Sequence, residues 1–182
     1  MAGLETLLKQ IVAAFSGSGS GGGASSSKQQ IIDHLKDKGY SKEAIAGIVG
    51  NIDVETKGSF DYTQKEIDHY DKNNKPVYKK DGGEGLFQFD FMKPHYKTWR
   101  KSNKKKDSIE SQIDFMDEVV KGKVDMLGGT ERAILNEFLF KPGHGRAEDI
   151  AGVFTSVFEK PKKGEEHFDR RKASAIDIYN SL

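Results

Sequence analysis

Glu55 is the residue whose position most invites chemistry. In Ile45-Ala-Gly-Ile-Val-Gly-Asn-Ile-Asp-Val-Glu55 the isoleucines 45, 48 and 52 recur at helical spacing on one face, and Glu55 continues that face at its end. A carboxyl held against apolar neighbours is costly to ionise, so it keeps a proton to give away near neutral pH, as a general acid must. The plainer alternative is an exposed Glu at a fraying terminus. A second segment, Gly83-Glu-Gly-Leu-Phe-Gln88, adds polar side chains on a glycine-rich turn further along. Other chemistries fit poorly. Gly82-Gly-Glu-Gly85 lacks the Lys-(Ser/Thr) continuation of a nucleotide loop. His34, His69, His95, His144 and His167 are scattered without the spacing of a zinc site, so neither metal nor cofactor is expected. There is no Gly-x-Ser-x-Gly elbow and no cysteine nucleophile.

The elements that must position Glu55 follow from the rest of the chain. Its 182 residues suffice for one domain with a core and an appendage. Lys and Arg number 29 against 28 Asp and Glu, a net charge of +1, without the basic excess of a nucleic-acid binder. No apolar run approaches a membrane span, and the N-terminus lacks the pattern of a secretory signal. Synthesis in the cytoplasm, with transport by some other means, is the expectation.

Residues 1–15 read as a short amphipathic helix, with Leu4, Leu7, Leu8, Ile11, Val12 and Phe15 on one stripe. The Gly/Ser stretch 16–27 reads as a flexible linker, so residues 3–15 are expected to dock on a protein partner rather than on the main domain. A membrane-surface helix, self-association or an engineered tag are the competing readings.

The globular domain is assigned to residues 28–182. A helix is predicted over Gln30–Lys38, and another from a Ser41 cap to about Glu55, with Gly47 and Gly50 permitting close packing. Between Lys57 and Gly85 the turn residues indicate a small irregular β-region. Further helices are predicted near Pro94, after an Asp107/Glu110 capping pair, after Thr130 on an Ala133, Ile134, Phe138, Leu139 face, over Ala147–Phe158, and over Arg170–Leu182. The basic run Arg100–Lys106 reads as a solvated loop, with contact to an anionic wall polymer as the alternative. The fold class is α+β and mainly helical.

Gly50-Asn-Ile-Asp-Val-Glu-Thr-Lys-Gly-Ser-Phe60, followed by Gly83-Glu-Gly-Leu-Phe-Gln-Phe-Asp90, resembles the phage tail lysozyme family, and more distantly goose-type lysozymes and lytic transglycosylases. The tail, Phe158-Glu-Lys-Pro161 with Arg170-Arg171 and Ala173 to Tyr179, is similar to that family's closing helix. The resemblance covers most of residues 29–182. It implies a lysozyme-like domain in a phage tail or related injection particle that cleaves the β-1,4 glycan strand of peptidoglycan, with Glu55 as general acid and Gln88 lining the cleft. Such cleavage commonly uses a second carboxylate. Asp61, on the segment leaving the helix, is the favoured candidate; Asp53 lies about 200° round the helix from Glu55 and faces away. Without a second carboxylate the sugar's own hydroxyl would attack, giving an anhydro product. Tyr62 and Tyr78, in polar surroundings, are expected to stack on sugar rings, and Phe87 and Glu84 to line the cleft beside Gln88. Phe60, Phe89, Tyr96 and Trp99 are assigned mainly to the core. The competing class is a non-catalytic wall-binding or structural module of the same fold; an amidase or peptidase is disfavoured by the missing Cys and metal ligands.

Overall fold

The computed structural model describes residues 21–141, 143–161, 163–164 and 166–182. The stretch read as a docking helix lies outside the described residues. Helix α1 spans Gly21–Asp37 and α2 Lys42–Glu55; an antiparallel hairpin of β1 (Ile67–Tyr70) and β2 (Pro76–Tyr78) follows. Then come α3 (Lys93–Ser102), α4 (Ile109–Val120), α5 (Gly129–Phe140) and α6 (Ala147–Phe154). A π-helical turn over Thr155–Glu159 extends α6, and α7 (Phe168–Ser181) closes the described chain. The mainly helical α+β class is what the sequence implied.

Helix α2 is the centre of the molecule. Residues 44–52 are all buried, and α1, α5, α6 and α7 pack around them. Its start is fixed by Ser41, whose Oγ accepts the Ala44 N–H at 3.1 Å. Its end is fixed by Thr56, whose Oγ1 donates to the Ile52 carbonyl at 2.7 Å and accepts the Phe60 N–H at 3.0 Å. The two helix-interior glycines have a packing role. A Cβ on Gly47 would stand 2.7 Å from Ile150 Cγ2 of α6, and one on Gly50 would stand 2.8 Å from the Ala175 backbone nitrogen of α7. Each costs about 1 kcal/mol of helix propensity relative to Ala. The close approach they allow locks α6 and α7 onto α2.

Several boundaries and faces differ from the sequence reading. Helix α1 begins at Gly21, inside the Gly/Ser stretch, although Gly and Ser are poor helix formers; these turns extend a helix anchored by the buried Ile31, Ile32 and Leu35. Helix α4 is capped by Ser108, whose Oγ accepts the Ser111 N–H at 3.2 Å. Asp107 instead accepts hydrogen bonds from Tyr96 Oη at 2.7 Å and Gln112 Nε2 at 3.1 Å. On α5 the buried positions are Leu135 and Leu139, while Ala133 and Ile134 face outward. The stripe Ile109, Ile113, Met116 and Val120 of α4 is buried as expected, under a cluster of Phe89, Tyr96, Trp99 and Phe115 rings. Among the described residues no helix is long and apolar enough to cross a membrane.

Candidate active site

The C-terminal end of α2 opens into a cleft of about 1060 Å³. One wall carries Glu55 and the segment after it, with Lys57, Asp61 and Gln64. The opposite wall is the hairpin, with Ile67, Tyr70 and Tyr78, and the floor includes Phe87, Gln88, Glu159 and Arg171. Glu55 and Asp61 thus face one space. The Asp61 Oδ1 accepts from Thr63 N at 2.8 Å and Thr63 Oγ1 at 2.7 Å, a local turn that leaves its other oxygen toward solvent. Asp53 points away, as expected, and accepts from Ser174 Oγ at 2.6 Å.

The surroundings of Glu55 are not those its helix face implied. Its side chain is 19% exposed, and its carboxylate accepts a hydrogen bond from the Arg171 guanidinium rather than resting among apolar side chains. Arg171 comes from α7, and the packing of α7 on α2 delivers it. The Arg171 side chain is 1% exposed, and its nitrogens are all committed. Nε donates to the Glu166 carbonyl at 2.7 Å; one terminal nitrogen serves both Asn51 Oδ1, at 2.8 Å, and Glu159; the other serves Glu55. Asn51 is fixed in turn. Its amide donates to the carbonyls of Gly47 at 2.9 Å and Ala151 at 3.1 Å, and its Oδ1 accepts from Thr155 Oγ1 at 2.6 Å.

Glu159 is the residue the sequence reading missed. It ends the π-helical turn, after which Lys160 takes a left-handed conformation and donates its N–H to the Thr155 carbonyl at 2.9 Å. Such a turn inserts one extra residue into the helical path and redirects the side chain that follows. Here it directs a carboxyl inward. The side chain is 4% exposed, and its second oxygen, Oε1, is buried with no hydrogen-bond partner among the described residues. Burial pushes the Glu159 carboxyl up to about 8; Arg171 offsets part of that effect, and the neighbouring Glu55 charge adds to it. Two carboxyls therefore share one buried cation.

The glycine-rich segment builds the floor. Gly85, at φ +83°, passes so near Gln112 that a Cβ would stand 2.4 Å from its amide oxygen. Gln112 accepts from Leu86 N at 2.8 Å and donates to the Tyr62 carbonyl at 2.8 Å, tying this turn and the start of the β-region to α4. Gln88, at φ +45°, borders the cleft and donates to the Gly85 carbonyl at 2.8 Å. Phe87 is 4% exposed, so it presents a ring edge to the cleft from within a cluster of Phe89, Phe154 and Phe158. Tyr78 is exposed in the cleft, and Tyr70 stands beside it, unforeseen. Tyr62 and Glu84 are elsewhere. Both line a separate cavity of about 110 Å³, where Glu84 pairs with Lys93 at 2.8 Å. Polar surroundings suggested the cleft for Tyr62, and its place in the glycine-rich turn did so for Glu84, but the Glu84 backbone pairs with Lys65 and Phe89 and so turns its side chain to the far side.

A helix ending in a cleft carboxylate, faced by a Gly-Leu-Phe-Gln turn, is the arrangement the sequence resemblance implied, and residues 26–182 match the phage tail lysozyme family. The chain belongs to that family. Membership supports lysozyme-type action on peptidoglycan and the setting of a phage particle acting on the bacterial cell wall. No curated protein matches the chain.

Proposed function

We propose that the protein cleaves the β-1,4 bond between N-acetylmuramic acid and N-acetylglucosamine in the peptidoglycan strand, with Glu55 as general acid. The observation that carries this reading is the placement of Glu55 and Asp61 on one cleft, in a chain of the lysozyme family. Glu55 delivers its proton to the glycosidic oxygen as the bond to the anomeric carbon breaks, and the bonding electrons leave with that oxygen. The O–H electron pair remains on Glu55, and the Arg171 guanidinium receives the new carboxylate. Asp61 faces the oxocarbenium-like centre or activates the incoming water. Tyr78 and Tyr70 offer exposed rings to the sugars, and Gln88 offers an amide from the floor.

The test is mass spectrometry of soluble products from purified peptidoglycan. Wild type should release reducing muropeptides, and Glu55→Gln should lower their rate about 10²–10⁴-fold. Unchanged products from Glu55→Gln would remove Glu55 from the role of acid. Ends of the 1,6-anhydro type would replace water by the sugar hydroxyl as nucleophile. Peptidoglycan binding by wild type without any product would instead favour a non-catalytic module. In the same reading residues 3–15 attach the domain to a phage-tail protein, so deleting residues 1–15 should leave cleavage of isolated peptidoglycan intact; a matching loss of cleavage would refute that separation.

A further inference from the structure

The Arg171 cluster holds more than the acid requires. A single guanidinium would suffice to receive the Glu55 carboxylate, yet a second, more deeply buried carboxyl is brought to it by a distorted helical turn. The charges say what that second carboxyl does. Arg171 with Glu55 and Glu159 is neutral when the two carboxyls hold one proton between them, and carries −1 when they hold none. Burial opposes the charged form, so the cluster keeps its proton to higher pH than a solvated carboxyl would. Without Glu159 the balance inverts. Arg171 and Glu55 alone are neutral when Glu55 is ionised and carry +1 when it is protonated, so burial would then oppose the acid form.

We propose that Glu159 is a positioning residue for glycan cleavage: it supplies the carboxylate that occupies Arg171 while Glu55 carries the proton to be donated. This rests on the reading of Glu55 as the acid. The buried Oε1 of Glu159, without a partner among the described residues, fits it, since that oxygen is free to hold the shared proton when Glu55 is the anion. The raised affinity of Glu159 for a proton agrees with a cluster that retains one. Among the described residues, the other charged groups on this cleft are Lys57 and Asp61 after α2, Lys65, Glu66 and Lys79 around the hairpin, Asp90 after the glycine-rich turn, and Lys160 and His167 between the π-turn and α7. Lys160 is drawn off by Glu131 at 2.7 Å, and the Glu166 carboxylate is taken by the Gly164 N–H, leaving its carbonyl to Arg171.

The experiment is a pH–rate profile for wild type and Glu159→Gln, paired with ¹³C-carboxyl NMR titration of both proteins. Glu159→Gln should lose at least about tenfold at neutral pH, recover as the pH falls, and show an alkaline limb lower by about one pH unit or more, one unit being tenfold in protonated acid. Glu159→Asp should restore part of that displacement. A loss of equal size at every pH would make Glu159 merely structural and overturn the proposal, as would an unmoved alkaline limb. Should Glu159→Gln fail to fold, wild-type NMR decides. The proposal requires the two site carboxyls to titrate in separate steps, one of them above about pH 6, and it falls if both ionise together in the ordinary carboxylate range. Absence of turnover in wild type would sink the glycan-cleaving reading and the role within it, while the NMR curves would still show whether the pair shares a proton.

Discussion

Two charge clusters in this protein, one half-buried and one buried, have opposite compositions. Around Asp114 of α4, cations outnumber acids locally: Lys38 approaches at 2.6 Å, His34 Nε2 at 2.9 Å, and Lys105 closes the ring. Around Arg171, acids outnumber the cation. The consequences diverge accordingly. Burial works against ionisation at Asp114, but the hydrogen bonds from Lys105, Lys38 and His34 prevail and hold its carboxyl well below the usual range. At Glu159 burial prevails over Arg171 and raises the carboxyl's affinity for a proton. A cation-rich cluster fixes charge and serves architecture, joining α1 to α4. An acid-rich one raises the affinity for a proton at the floor of a cleft.

Removing the central charge of each should separate them most. Arg171→Met leaves the half-buried Glu55 and the buried Glu159 without their cation, and should cost about 3–5 kcal/mol in denaturant unfolding at pH 7. The same variant should recover stability as the pH is lowered and both acids are neutralised. A cost that ignores pH would mean that Arg171 acts by packing alone. Asp114→Asn should cost less, about 1–3 kcal/mol, since its cations retain access to water and to Asp117. Peptidoglycan cleavage per folded molecule should be unaffected; a selective loss of activity would place Asp114 in the site after all.

The finest distinction is the slope of stability with pH, no more than about 1.4 kcal/mol per pH unit for one proton. Glu159 has a folded-state affinity raised above its ordinary value of 4.5, so between about 4.5 and 8 the folded protein binds the extra proton. Stability from this group is complete below that window and declines as pH rises through it, and Glu159→Gln should flatten the decline. Asp114 behaves in the opposite sense. Its contribution is present above its ordinary value of 3.8 and is lost as pH falls below it. Thermal melts from pH 3 to 9 on wild type and both variants would show the two slopes; an identical profile in all three would dissolve the distinction.

What was legible in the sequence is what local rules control. Ser41, the Ile45–Ile48–Ile52 face and the end of the helix at Glu55 follow from capping and periodicity, and the structure keeps each of them. The Gly83–Gln88 turn is legible because glycine marks tight backbone. Glu159 and Arg171 lie in the tail that carried part of the resemblance, but their place in the site was not legible. They sit in a stretch rich in Lys, Glu and Arg, where every charge looks solvated, and only tertiary packing buries these two. The π-turn that aims Glu159 has no composition of its own. Asn51 was hidden for a related reason: a polar residue near a helix end looks exposed until α6 and α7 close over it. Even the choice between Asp107 and Ser108 as cap was decided at a distance, by Tyr96 claiming the aspartate.

The Gly50–Ala175 approach has a kinetic consequence. The contact between Glu55 and Arg171 joins residues 116 apart in sequence. Loop closure on that scale costs more than forming local helices, so this contact is expected to follow them. The seam at Gly50, where α7 meets α2, is where that contact must form. A bulkier residue there would hold α7 away and leave a collapsed chain that has its acid but not the acid's counter-ion. Appearance of activity during refolding should therefore lag behind recovery of helical signal, and the rate at which α7 seats on α2 should set how soon a newly folded molecule can act.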